Sequence, residues 1–337
     1  MNKDIAKQQG QAYAIHNDLI QKSIFSMTLN QIRILLFMIS KIKPKDDIST
    51  IYTISISDYC RVCNIDASQG WHYANVKNSL DEIDKIRLWI VETDENGKTK
   101  RTRLQWFHQL IINDGSGRIE YNFNENMKQY LFSLEGKYML AYLEYILPMN
   151  SKYSIRLYNL LKSVEHMESV QDDGYHIALE DFKLRVDATK YDRYPDLRRW
   201  VIEKAVEEIN TYTDIEVKWD KMKDGRSVAK LIFNIERPDD EERSLRRDKR
   251  LLALGHYRQP EIMNKYGLYS KENPPNLPEV FEAMDSGEYD EKPHKGKQKE
   301  EQPEETRARI RNKLARAIAT ERAGAAQSDF SGEGEQE

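Results

Sequence analysis

Cysteine is nearly absent from this chain of 337 residues, which contains two, Cys60 and Cys63. Two cysteines cannot build a disulfide framework. Their C-x-x-C spacing suits half of a zinc site, but no second pair completes four ligands. A thioredoxin-like redox pair needs a βαβ setting that the flanking pattern lacks, so both read as core thiols. No run approaches the ~20 apolar residues that cross a bilayer, and the opening MNKDIAKQQGQAYAI carries no signal-peptide apolar core. The expectation is a soluble, cytoplasmic protein with no membrane partner. No G-x-x-x-x-G-K-[ST] occurs, so autonomous nucleotide hydrolysis is not expected; DENGKT is a hairpin turn. Seven histidines are scattered without a His-x-His pair, which leaves a tyrosine nucleophile without its metal. No cofactor is expected. Net positive charge is missing too: 52 Lys and Arg stand against 56 Asp and Glu, a formal −4. Any surface for a polyanion must come from local clustering.

Apolar residues make up 39% and charged residues 32%, enough for cores in a chain of two domains and a tail. The nineteen tyrosines read as amphipathic core-edge residues. Thr28 and Gln31 form a capping-box pattern ahead of TLNQIRILLFMISKI, whose Leu29, Ile32, Leu35, Leu36 and Ile39 recur at helical spacing. That helix has more apolar surface than one face needs. Either it is fully buried, or Phe37 or Met38 helps form a dimer seam. IYTISI alternates as a strand; SDYCRVCNI and GWHYANVKNSLDEIDKI follow as helices; then a hairpin turns at Asn96-Gly97. GRIEYNFNENMKQYLFSL reads as a strand entering a helix. The order of elements then repeats: helix YSIRLYNLLKSVEH, strand YHIAL, helix EDFKLRV, helix YPDLRRWVIEKAVEEIN, and a hairpin turning at Asp224-Gly225. The expected fold class is α+β: two tandem winged-helix domains, each with helices packed on a small antiparallel sheet. The expected domains are 1–137, 138–237 and a charged, partly disordered tail at 238–337. Six of the ten prolines come at or after Pro260, and EETRARIRNKLARAIATERAGAA suits a short helix within the tail.

The helix opening at Tyr194 has Leu197, Val201, Ile202, Ala205, Val206 and Ile209 within one half of its wheel, with Asp196, Arg199, Glu203, Glu207 and Asn210 opposite. Arg198 falls on the apolar side of that wheel, in the first turn, where a long side chain reaches past a core edge. Trp200 and Lys204 flank the polar face. From Lys183 to Lys204 seven cations meet four acids, and from Lys218 to Lys230 five meet two, each leaving +3. Cations at a helix N-terminus beside a basic β-turn suit phosphate and base contacts in a major groove. The bland alternative is a solvated face with ordinary helix charges.

The segments SIFSMTLNQIRILLFMISKI, LPMNSKYSIRLYNLLKS, DLRRWVIEKAVEEIN and DIEVKW, in that order, resemble the iteron-binding plasmid replication initiators of the Rep_3 or RepB type, over roughly residues 15–237. The resemblance implies two winged-helix domains, of which the C-terminal one reads double-stranded origin repeats, the iterons. It implies an N-terminal domain that holds a homodimer in equilibrium with monomer and adds backbone contacts. Bound monomers would open an AT-rich segment and recruit the host initiator and helicase; dimers would repress their own gene. No covalent chemistry is implied. Carried onto this chain, the motif makes Arg199 a guanine reader and Arg193, Arg198 and Lys204 phosphate clamps. Lys221, Lys223 and Arg226 of the wing would hold the backbone or minor groove. Trp200 departs from a position that is often basic, and would stack on a base, touch a thymine methyl or pack. Glu203 and Glu207 also lie where relatives are commonly basic. Arg101 and Arg103, on one side of the first hairpin, are either solvated or auxiliary DNA contacts. The rivals to initiation are a winged-helix transcriptional regulator and a nicking rolling-circle initiator.

Overall fold

The computed structural model describes residues 11–65, 70–113 and 115–254, with 281, 284 and 285 as isolated positions. Residues 1–250 form one compact unit and 251–337 a second. Every helix and strand named here belongs to the first unit, apart from the last turn of the final helix. The chain opens with β1 (Ala12–His16), α1 (Asn17–Lys22) and the two-residue β2 (Ser23–Ile24). α2 (Leu29–Ile39) starts where the capping pattern puts it. The Thr28 hydroxyl accepts the Gln31 N–H, and the Thr28 N–H donates to Gln31 Oε1 at 2.8 Å. Ile32 and every residue from Ile34 to Ile39 are at most 5% exposed. Phe37 and Met38 therefore lie inside this subunit's own core, Phe37 edge-on to Tyr59, and neither is available for a dimer seam.

β3 (Tyr52–Ser55), α3 (Ile56–Val62) and α4 (Gly70–Ile83) follow, then the hairpin of β4 (Leu88–Thr93) and β5 (Thr99–Leu104). Gly97 turns that hairpin at φ +76, a conformation glycine adopts without a Cβ clash. The run after Leu104 does not continue it. β6 (Phe107–Asn113) leaves for a different sheet, with β7 (Arg118–Phe123) in its centre. The first half thus holds two three-stranded sheets, β2-β4-β5 and β3-β7-β6. After α5 (Lys128–Leu131), β8 (Tyr138–Tyr142) pairs antiparallel with β1, from Ala12 opposite Tyr142 to His16 opposite Tyr138. The strand just past residue 137 is thereby bonded to the first strand of the chain.

The second half runs α6 (Leu143–Ile146), α7 (Lys152–Val164), α8 (Glu168–Asp173), β9 (Tyr175–Ala178) and α9 (Leu179–Val186). A long helix, α10, takes it from 194 to 212, and β10 (Glu216–Asp224) and β11 (Ser227–Glu236) close it. Its strands form one sheet in the order β10-β11-β9. Phe182 of α9 stacks on Phe233 of β11 at 5.8 Å, and both are fully buried. α7 is the shared wall between the halves. Asn159 accepts the Tyr13 hydroxyl at 2.8 Å, and Gln21 donates to Ser163 at 3.1 Å. The buried Arg156 donates to the carbonyls of Phe25 (3.1 Å) and Arg185 (2.8 Å) while lying over the Phe25 ring. Burial holds its guanidinium near a pKa of about 10.

Past Pro238 the expected charged tail begins instead with a regular helix, α11 (Asp240–Ala253). Asp239 caps it, accepting the Glu242 N–H at 2.9 Å; acids fill its first turn and Arg250 its last. The helix suggested at 304–326 lies outside the described residues.

Candidate nucleic-acid interface

α10 is one continuous rod with an irregular middle: α-helical Tyr194–Leu197, π-helical Arg198–Glu203, α-helical Lys204–Tyr212. Pro195 sits in the first turn, where its missing N–H costs nothing. Leu197, Val201, Ile202, Ala205 and Ile209 are fully buried, as the helical wheel requires, while Val206 is half-buried. The trailing residues act as clamps. Glu208, 8% exposed, accepts the N–H groups of Asn150 (2.9 Å) and Ser151 (3.3 Å) at the start of α7. Asn210 exchanges two hydrogen bonds with the Val217 backbone, fixing where β10 begins. The outer face and leading end of α10 are thus left free to meet a partner.

The π segment changes which side chains meet. In a π turn the repeat is i to i+5, and Arg198 Nε donates to Glu203 Oε1 at 2.7 Å, five residues on. Arg198 reaches past the core edge, as its place in the first turn allows, and the π turn sets it against Glu203. Arg198 is exposed, and Glu203 beside it raises its pKa further. Arg199 lies over the Trp200 ring at 4.9 Å, and Trp200 is 52% exposed. An exposed indole capped by a guanidinium presents a flat, cationic platform. Arg193 is exposed and 3.7 Å from Asp196. Lys204 is exposed and forms no ion pair among the described residues.

The wing hairpin turns at Gly225 (φ +58) and Arg226, between the paired Asp224 and Ser227. A bulge at Ala229 shifts its register between Met222 and Lys223, which strengthens the local twist. Lys221 reaches back over the Tyr194 ring at 5.6 Å, so the wing and the first turn of α10 are neighbours. Lys223 and Arg226 are exposed and without ion pairs among the described residues. Other cations of the two positive segments are engaged elsewhere: Lys183 with Glu180 at 2.8 Å, Lys218 with Glu236 at 2.9 Å. Arg101 and Arg103 lie exposed on β5, in the other half of the unit, with Arg101 over the Trp89 ring.

Two features lie beyond the pattern of the sequence as read above its fold. One is the Arg198–Glu203 pair, which a regular-helix wheel cannot produce. The other is α11, although its Asp239 cap, acidic first turn and basic last turn are legible signals within what otherwise reads as a charge run. Cys60 is fully buried, in keeping with a core thiol, while Cys63 is half-buried; burial raises the pKa of both thiols. No group of three or more metal-ligating side chains is found among the described residues, nor a helix long and apolar enough to cross a membrane.

The profile described as Initiator Replication protein, WH1, matches residues 12–162, and that described as Initiator Rep protein, WH2, matches 178–235. An Escherichia coli replication initiation protein is 30% identical over 122 residues, 36% of this chain and 38% of the relative. The PI protein of Escherichia coli is 28% identical over 181 residues, 49% of this chain and 52% of the relative. The chain thus spans about half or less of the curated relatives it matches. Among solved structures, that of the Pi initiator protein in complex with iteron DNA covers 69% of this chain and 99% of its own, with a TM-score of 0.54 and 19% identity. At that identity the likeness is one of fold.

Proposed function

This chain belongs to the initiator replication protein family, with two winged-helix regions, and on that premise we propose that it initiates plasmid replication by binding repeated origin sequences in duplex DNA. α10 enters the major groove. Arg199 reads a guanine edge from its platform on Trp200, while Arg193, Arg198 and Lys204 hold phosphates. Lys221, Lys223 and Arg226 grip the flanking backbone, and Arg101 and Arg103 add contacts from the first lobe. The observation that carries this reading is the pairing of a cationic helix start with a cationic wing, joined by the Lys221–Tyr194 contact, in a chain whose total charge is −4. Charge so concentrated serves phosphate binding where the chain average does not. As part of the same proposal, the 1–137 region dimerises in the repressing form, the 138–237 region reads the repeat, and bound monomers open the origin and recruit the host initiator and helicase.

The protein is proposed to act without covalent chemistry. Tyr13, Tyr59, Tyr121 and Tyr158 are buried, and burial raises their pKa well above the usual value, which suits core roles.

The test is footprinting of the purified full chain on the DNA flanking its gene. Protection of direct repeats of about 20 base pairs, two helical turns, supports initiation. A single protected palindrome would move the reading to a transcriptional regulator. Equal affinity for the flanking DNA and an unrelated duplex at moderate salt would overturn it. Cleavage of a supercoiled origin in magnesium would instead make the protein a nicking initiator.

A further inference from the structure

Two arginines of α11 lie where no solvated tail would put them. The Arg246 side chain is 3% exposed; its Nη1 donates to the Ile215 carbonyl at 2.7 Å and its Nε to Glu242 at 2.6 Å, with Glu216 at 3.7 Å. The Arg250 side chain is 8% exposed; its Nη1 donates to the Tyr212 carbonyl at 3.0 Å. Its guanidinium lies over the Tyr145 ring at 4.6 Å and 3.9 Å from Glu144. Tyr212 is the last residue of α10, and Glu144 and Tyr145 belong to α6. A helix leaves its last carbonyls without intrahelical partners, at the negative end of its dipole. Here a buried cation from a later helix takes the Tyr212 carbonyl, and with the same guanidinium touches the segment after β8.

Arg250 adds to the other attachments of α10 a contact with α6. Glu208 and Asn210 hold it to the backbone at the start of α7, the wall shared by the halves, and to β10. Arg250 ties it to α6, which continues directly from β8, and β8 is paired with β1 of the first lobe. α11 also lies beyond residue 235, where the WH2 match ends. We infer that Arg250 is a positioning residue for DNA reading: it straps the trailing end of α10 to α6 at the joint between the lobes, while Arg246 seats α11 on the connection from α10 to β10, so that both lobes meet one duplex in a single register. The inference rests on the DNA-binding reading above. Neither arginine touches DNA. Their work is to remove the freedom of one lobe to swing against the other, which raises the effective concentration of the second contact once the first is made.

The test uses the full chain with Arg246→Met and Arg250→Met together, which keeps side-chain length and removes the donors. Binding is measured on a duplex with one complete repeat and on one trimmed to the part that α10 and its wing protect. The strap predicts tenfold or greater loss on the complete repeat, with binding to the trimmed duplex within twofold of wild type. Arg250→Lys, which retains a cation near Tyr145 and the Tyr212 carbonyl, should recover part of the loss. Equal loss on both duplexes would reduce the arginines to fold maintenance, and no loss on either would remove them from reading; both overturn the inference. Hydrogen exchange without DNA gives an independent answer. The strap predicts faster exchange at α6 and the end of α10 in the double variant, with the cores of both lobes unchanged; unchanged α6 exchange overturns it. A wild-type chain with no preference for the repeat would overturn the DNA-binding reading instead, and the exchange result would still decide the strap.

Discussion

The two lobes share an order of elements and divide their sheets differently. In the first, the hairpin β4–β5 pairs with the short β2, while β3 sits in a separate sheet with β7 and β6. In the second, β9 joins the hairpin in one sheet, β10-β11-β9. The helices that precede the hairpins also differ in where their cations lie. α4 is GWHYANVKNSLDEI, with one cation at Lys77 and acids at Asp81 and Glu82. α10 carries Arg198, Arg199 and Lys204 against Asp196, Glu203, Glu207 and Glu208, and begins beside Arg193, so its cations gather toward the leading end. The same architecture therefore gives one lobe built around strand pairing and another whose helix faces outward with cations at its leading end. Fold repeats across the chain; surface chemistry does not, and function follows the latter.

The sharpest way to break this contrast is at the core of the undivided sheet. Phe233→Ala removes half of a buried aromatic stack and should cost ~3–5 kcal/mol, read as a shift of the denaturant midpoint. A loss under ~1 kcal/mol would mean that the second lobe does not depend on β11 packing against α9. Next comes the reading helix. Arg199→Ala should cost ~1–3 kcal/mol on the specific site and relax preference at one base pair, whereas Lys77→Ala in α4 should leave specific affinity within twofold. Equal loss on specific and random DNA would reassign Arg199 to phosphate. Of smaller effect are the wings. Lys223→Ala should lower the slope of log affinity against log salt by about one while weakening all sequences alike. Applied to Arg103, the same measurement decides whether the first lobe's hairpin touches DNA: an unchanged slope leaves it solvated. Smallest is Glu203→Gln, which frees Arg198 from its partner. Affinity for random duplex should rise and the salt slope steepen, narrowing the gap between specific and random DNA. A salt titration showing no steepening would separate Arg198 from the phosphate contacts.

Much of this is legible from local pattern. The Thr28 cap, the glycine turns at Gly97 and Gly225, the buried stripe of α10 and the cation clusters each depend on residues a few positions apart. Periodicity and capping report such relations directly. The break at Trp106 is not legible, because Leu104 to Ile112 reads as one strand until a second sheet claims its far half. β8 is hidden for a related reason. Its alternation of exposed Tyr138, Leu140 and Tyr142 with buried Met139 and Ala141 has a cause only once β1 lies beside it. Phe37 and Met38 are ambiguous in sequence, since a fully apolar helix serves a core and an interface equally well.

Residue order alone settled α2, α7 and α10, the glycine turns and the gathering of cations onto α10 and its wing, since each arises from neighbours along the backbone. Which arginine meets solvent, which is neutralised by Glu203 and which is buried against a carbonyl had to await folding. Guanidinium is the same group in Arg199, Arg198 and Arg250. Its role is set by what lies within a few ångströms: an indole face, a carboxylate one π turn away, or the end of a helix 38 residues earlier in the chain.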